Sequence, residues 1–349
     1  MANQSLQLVL VTEDPYNAET PLSALLNEVT PLDLVYVRDH FDIPQLDATK
    51  WSLDVNGAVE KPFSISYAEL QALETKTLAV TLECAGNGRI QMDPLPKGTP
   101  WGYGAVSIVE FTGTPLFNVL KMAGISDRAV EVLFRGADRG EVEPGRNEWF
   151  ARSLKIDMAL NSDTLLVWEM NGKPLTPKHG HPMRLVVPGW YGMASVKWLT
   201  QVTLLTEPFS GFFQNEHYVY LDDEGTREGD PVQHIRTRSL IVSPVDGAVL
   251  SKGELDVIEG IAWSGYGPIA QVDVSVDRGD SWLEAELVPP SYPHGVQRWR
   301  FKWSSQTPGR HTVLSRATDA LGNLQPASQR WNRLGYGNNG PHVVVVSIQ

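Results

Sequence analysis

The residues best suited to chemistry lie in the segment TLECAGNGR, Thr81 to Arg89. A strand-like run delivers the single cysteine, Cys84, into a turn of small residues: Ala85, Gly86 and Gly88. Such a turn lets a bulky ligand approach the backbone closely. Arg89 follows five residues on, where its charge would lower the thiol pKa and favour thiolate. On residue type alone Cys84 is a core filler, a nucleophile or a single metal ligand, and free cysteine is among the most buried residue types. A soft thiolate suits a soft or high-valent metal, but one thiolate does not hold it. The remaining ligands would have to come from a cofactor.

A second constellation is His179-Gly-His181-Pro-Met-Arg184. Two histidines at i, i+2 would share one face of a strand, yet Gly180 and Pro182 suggest a loop, and no further ligand follows at a zinc-like spacing. Donation by His and Arg to a phosphate or polar cofactor fits better, because the guanidinium fork matches phosphate oxygens. GYGNNG, 335–340, formally matches G-x-G-x-x-G, but Pro341 and the strand-like HVVVV follow where a helix would be needed. It reads as a glycine-rich turn.

The composition narrows the partners. The chain has 349 residues, 29 Lys+Arg against 41 Asp+Glu, and a formal charge of -12. That balance argues against binding nucleic acid or an anionic membrane, and an anionic substrate would need a local basic pocket. One cysteine excludes an intramolecular disulfide and any Cys-rich zinc or iron–sulfur site. No apolar run reaches the roughly 18 residues of a membrane span. The start MANQSLQLVLVTEDP has neither a basic n-region nor an A-x-A-like cleavage site, so the expectation is a cytoplasmic protein, or a periplasmic one if the chain is a processed form.

The elements that must position these residues change character along the chain. The first thirty or so residues, with Pro15, Pro21 and Pro31, read as an extended arm. WSLDVNG, TLAVTLEC, AVEVLF, TLLVWEMNG and MRLVVPG read as strands, YAELQALET and PLFNVLKMAG as short helices. DDEGTREGDP, 222–231, is the best linker. Beyond it, short strands separated by Gly, Pro, Asp or Ser turns indicate an all-β sandwich. The boundary falls near residue 232.

Read together, these segments resemble the sulfite oxidase family of molybdenum enzymes. The likeness runs in order through EDPYNAE (13–19), VYVRDHFDIP (35–44), TLECAGNGR, KGTPW (97–101), WEMNGKPL, HGHPMRLVVPGWYGMASVKWL and WNRLGYGNN. It implies an α+β protein: a mixed α/β molybdopterin domain over 1–231, then an immunoglobulin-like β-sandwich dimerisation domain over 232–349. It implies a molybdenum–molybdopterin cofactor whose dithiolene supplies two sulfurs while Cys84 supplies the third. Pterin and phosphate contacts fall on Tyr36, Val37, Arg38, Asp39, His40, Asp138, His179, Arg184, Ser195, Val196 and Lys197. Cys84, Arg38, Arg89 and Tyr218 become catalytic, and Arg38, Arg89, Trp101 and Tyr218 line the substrate pocket. The implied reaction is oxygen-atom transfer to sulfite. The chain would be a haem-free homodimer joined through its C-terminal domain, passing electrons to an external acceptor such as a cytochrome c.

Three departures bear on the substrate. The family's Arg-Asn-His reads Arg38-Asp39-His40, Gly88 stands where animal enzymes carry a second arginine, and the family's substrate arginine aligns with Val343. A loop shift would instead bring His342 or Arg333 to that place. Each lost guanidinium removes a contact of roughly 1.5–3 kcal/mol. The same cofactor acting on another sulfur compound or oxyanion, as in sulfane dehydrogenase or nitrate reductase, is therefore an alternative. A non-catalytic dimeric binding protein is a third reading, against which Cys84, Arg89, His179, Arg184 and Tyr218 argue.

Overall fold

The computed structural model describes residues 6–229 and 231–349. The alternation in WSLDVNG becomes the strand Ser52–Gly57, which buries Leu53 and Val55 and exposes Ser52 and Asp54. It runs parallel to Leu199–Leu205 in a sheet ordered Phe63–Ser66, Ser52–Gly57, Leu199–Leu205, Glu131–Glu143, Arg146–Lys155. Gly57 closes the strand at φ +86°, and a Cβ there would lie 2.2 Å from the Leu204 carbonyl oxygen. A second sheet is ordered Lys173–Pro174, Leu165–Met170, Val106–Pro115, Lys76–Glu83, with Arg184–Val186 also paired to Leu165–Met170.

Both expected helices form. Tyr67–Gln71 starts with a capping box between Ser66 and Glu69. Leu116–Ala123 follows Pro115, stops at Gly124 and buries Leu116, Val119, Leu120 and Ala123, the i, i+3, i+4, i+7 stripe of an amphipathic helix.

The N-terminal segment differs from an unpaired arm. Val9–Thr12 pairs with Asn17–Glu19, which pairs in turn with Val37–Arg38. Side chains rather than apolar periodicity hold it: Asn17 donates to Thr12 Oγ1 and the Pro15 carbonyl and accepts from the Asp39 amide. Asn17 stands opposite Arg38 in this pairing, which fixes where Arg38 emerges.

The expected linker carries a small hairpin, Tyr220–Leu221 with Arg227–Glu228, and Asp230 lies outside the described residues. Beyond it two sheets face each other. One is ordered Arg238–Ser243, Asp256–Trp263, Gln297–Trp303, Glu286–Leu287; the other Val249–Leu250, His342–Ile348, Gly309–Asp319, Ile269–Ser275, Leu283–Glu284. Ile258 and Trp299 from the first pack with Val272, Val313 and Val344 from the second. The run WLEAELV is split at Ala285, its two halves pairing in different sheets. A further core joins the sandwich to the first sheets, with Leu240, Ile261 and Trp263 among Leu53, Ile108 and Tyr191.

Candidate active site

Cys84 leaves the Lys76–Glu83 strand where the pairing with Val106–Pro115 ends. Its amide donates to the Ala105 carbonyl at 2.9 Å, and its own carbonyl accepts from the Asn87 amide at 2.9 Å. Gly88 completes the turn at φ +81°. Cys84 is 7% exposed and its thiol opens on a cavity. Burial pushes its pKa up; Arg38, the Gly86 amide and Arg89, in that order, pull it back. Desolvation thus outweighs Arg89, against the expectation from its spacing.

The cavity brings together Tyr36, Arg38, His40, Asp138, His179, Arg184, Ser195, Lys197 and Tyr218 around Cys84, all expected from the sequence. At the thiol end, His40 Nε2 and Tyr218 Oη are 2.7 Å apart. Burial holds His40 well below its usual range and pushes Tyr218 up to about 12. The basic donors of the wall are fixed by backbone carbonyls. Arg184 donates to the His179 carbonyl at 3.1 Å and the Ser195 carbonyl at 3.0 Å. Lys197 donates to the Arg38 and Lys178 carbonyls at 2.9 Å and pairs with the Asp39 carboxylate. Thr176 Oγ1 holds His179 Nδ1 at 2.7 Å. Asp138 is 4% exposed, its pKa is pushed up to about 7 chiefly by burial, and its Oδ1 has no partner.

Several expected site residues do not line this cavity. The Arg89 guanidinium is taken by the Thr99 carbonyl at 2.6 Å and the Leu334 carbonyl at 3.1 Å. Trp101 is core, its ring edge-on to Tyr36. Val37 and Val196 are buried, and Asp39 faces Lys197. His342 begins the His342–Ile348 strand, accepts from the Ile241 amide and packs on Tyr103, so no loop shift brings it to the pocket. Val343 is half-exposed on the same strand. His181 does not join His179 in the wall, and among the described residues no group of three His, Cys, Asp or Glu forms a metal site.

Other lining residues escaped the sequence reading: Phe150, Lys178, Gly192, Met193 and Trp198. Gly192 carried a signal, since a glycine within PGWYGMAS marks close approach; a Cβ there would lie 2.8 Å from Tyr36 Oη. Lys178 carried none.

Comparison with known proteins fits this arrangement. The family description "Oxidoreductase molybdopterin binding domain" matches residues 40–213, and "Mo-co oxidoreductase dimerisation domain" matches 230–349. Mouse mitochondrial sulfite oxidase is 34% identical over 97% of this chain, and Arabidopsis thaliana sulfite oxidase is 31% identical over 96% of it and 93% of its own length. The chain belongs to the sulfite oxidase family. It spans 65% of the mouse protein's length. The solved structure of the sulfane dehydrogenase SoxCD from Paracoccus pantotrophus superposes with a TM-score of 0.85 at 28% identity, covering 98% of this chain and 90% of that one.

The cavity of this sulfite oxidase family member suits the family's cofactor. Asp138 Oδ1, buried and unpartnered, matches the N–H groups of a pterin. Arg184 and Lys178 suit a phosphate, whereas all three donors of Lys197 are taken by two carbonyls and Asp39, and Cys84 offers one soft ligand on the same wall. No helix among the described residues is long and apolar enough to cross a membrane.

Proposed function

We propose that the chain is a molybdenum-dependent oxidoreductase that oxidises sulfite to sulfate and passes the electrons to an external acceptor. The observation that carries this reading is a single cavity lined by the lone thiol, a buried carboxyl with one unpartnered oxygen, and basic side chains. The bound molybdopterin group supplies oxygen-atom transfer, with Cys84 as the protein's own ligand to its metal. The balance is sulfite plus water giving sulfate, two protons and two electrons.

The chain's residues bind and orient. Asp138 accepts from the pterin, and Lys178 and Arg184 hold its phosphate, while Lys197 fixes the Arg38–Asp39 backbone beside them. Arg38 holds the oxygens of the anionic substrate near Cys84. Burial keeps the Tyr218 hydroxyl protonated. When His40 Nε2–H donates to it, the tyrosine proton is free to point at a substrate oxygen. The dimerisation domain supports a homodimer, and no haem is needed if a carrier such as a cytochrome c takes the electrons one at a time.

A second reading, the same cofactor acting on a sulfane-type compound or another oxyanion, is favoured by a specific observation. Arg89 does not line the cavity and Val343 faces outward, so the arginine nearest the thiol on the cavity wall is Arg38, whose Nη1 is held by the Asp39 carbonyl and Asn17. Metal analysis of protein from a molybdate-replete host, joined to acceptor-dependent assays on sulfite, thiosulfate and nitrate, tests both. Molybdenum with sulfite turnover supports the first reading, turnover of another substrate alone supports the second, and a metal-free protein overturns both.

A further inference from the structure

Glu83 and Cys84 are consecutive at the end of a strand, so their side chains point to opposite faces. Cys84 faces the cofactor cavity, while Glu83 reaches into the β-sandwich. There Glu83 Oε1 accepts from Arg238 Nη1 at 3.1 Å and Asn87 Nδ2 at 2.9 Å, and Oε2 accepts from Trp263 Nε1 at 2.8 Å. Arg238 and Trp263 are register partners on adjacent strands of the sandwich, so one cross-strand pair presents both donors. The same Arg238 Nη1 also donates to the Asn87 carbonyl at 3.2 Å, gripping the backbone of the cysteine turn itself.

The C-terminal segment adds two more holds. The Gly337 amide donates to the Ala85 carbonyl and Asn338 Nδ2 to the Gly88 carbonyl, both at 2.7 Å. Packing leaves no slack, since a Cβ at Gly88 would lie 2.5 Å from Arg238 Nη2. Glu83 and Arg238 are each 1% exposed. A buried ion pair is weak evidence for stability, because desolvation offsets the attraction; its best-attested use is to select one geometry.

We propose that Arg238, acting through Glu83 and the Asn87 carbonyl, is a positioning residue that sets the Cys84 sulfur for metal ligation. The inference rests on the reading of Cys84 as the metal ligand. The clamp reaches the turn from the sandwich, on the face opposite the pterin contacts, so its loss moves the thiolate without removing the groups that bind the cofactor.

The test uses the holoenzyme with Arg238→Lys and Arg238→Gln, and Glu83→Gln added to the latter. Lysine keeps the charge and hence the fold, but its shorter, non-planar head does not bring a donor to the Nη1 position from which Arg238 meets both Glu83 and the Asn87 carbonyl. Arg238→Lys is expected to keep molybdenum near one per chain and KM within about twofold, while kcat falls about 10- to 100-fold, as for a misplacement near 1 Å. X-ray absorption at the molybdenum edge should show one sulfur lengthened or lost. Adding Glu83→Gln to Arg238→Gln should recover part of that sulfur signal and of kcat, because no lone buried charge remains. A wild-type sulfur shell and kcat in the folded lysine variant would overturn the clamp. So would losses that track only thermal stability and molybdenum content. The wild-type spectrum separates this from the parent reading: absence of a third sulfur there removes Cys84 as ligand, whereas its presence with unaltered variants removes only the clamp.

Discussion

Tyr218 Oη and His40 Nε2 meet at 2.7 Å on the wall of the cavity that holds Cys84. His40 is wrapped by the rings of Phe150 at 4.9 Å and Phe213 at 5.1 Å, so the pair sits in an apolar sleeve where a hydrogen bond is strong. Burial keeps His40 neutral and Tyr218 protonated. The hydroxyl is therefore a donor throughout the physiological range.

Tyr218→Phe removes that donor and leaves buried His40 Nε2 without its partner, while the ring's contact with Tyr336 at 5.0 Å remains. Steady-state kinetics on sulfite should show kcat lowered by about 10²-fold, the scale of one lost transition-state donor. The melting temperature should move by no more than a few degrees. Unchanged kcat would place the tyrosine outside the chemistry.

Acid should destabilise the cofactor-free protein in a defined window. Burial holds His179 down to about 3, and His217 and His342 down to about 4. The unfolded chain takes up these protons near pH 6.5 while the fold refuses them, so stability is full above that pH and falls toward about pH 4. Asp138 opposes this. Its folded carboxyl is raised to about 7, so it contributes stability present at low pH and lost as pH rises through 7. Melting temperatures from pH 8 to 4 should fall, and Asp138→Asn should steepen the fall. A flat profile would contradict the burial of these histidines.

What was legible in the sequence was local. TLECAGNGR announces a strand, a turn and a thiol, and His179 with Arg184 announces donors, because each depends on residues a few positions apart. The grip of Arg238 on Glu83 spans 155 positions, and nothing near either residue signals it. Arg89 shows the limit from the other side. Its spacing puts it near Cys84, but the direction of its guanidinium is decided by carbonyls at Thr99 and at Leu334, the latter 245 positions away. Val343 could have been read more sharply. Side chains alternate along a strand, so burying His342 and Val344 turns Val343 outward.

Arg38 should control affinity for the anion. It lines the cavity and is the strongest of the influences that draw the Cys84 thiol back down. Arg38→Lys replaces a planar fork with a point charge, a loss of about 1.5–3 kcal/mol if a bidentate contact is made. KM for sulfite should then rise about 10- to 100-fold with kcat changed less. For the wild type, KM should also rise as salt screens the site. A KM indifferent to both changes would move the anion site elsewhere.

Cys84→Ser is the most direct test of the metal assignment. Cys84 is 7% exposed and its neighbourhood is set by backbone bonds at Ala105 and Asn87, none of which uses the side chain. Serine is smaller by little and keeps those bonds, so the fold should survive, with a cost of about 1 kcal/mol for a buried hydroxyl. A serine hydroxyl does not ionise in the accessible pH range, and it offers a hard oxygen where a soft sulfur stood. The residues proposed to hold the cofactor, Asp138, Arg184 and Lys178, lie on other elements, so cofactor content should persist. Expected together are a near-native melt, retained pterin, a missing sulfur at the molybdenum edge and turnover reduced at least about 10³-fold, on the scale of removing a group that acts in the chemical step. Wild-type turnover in a protein shown by sequencing to carry serine would end the thiolate assignment.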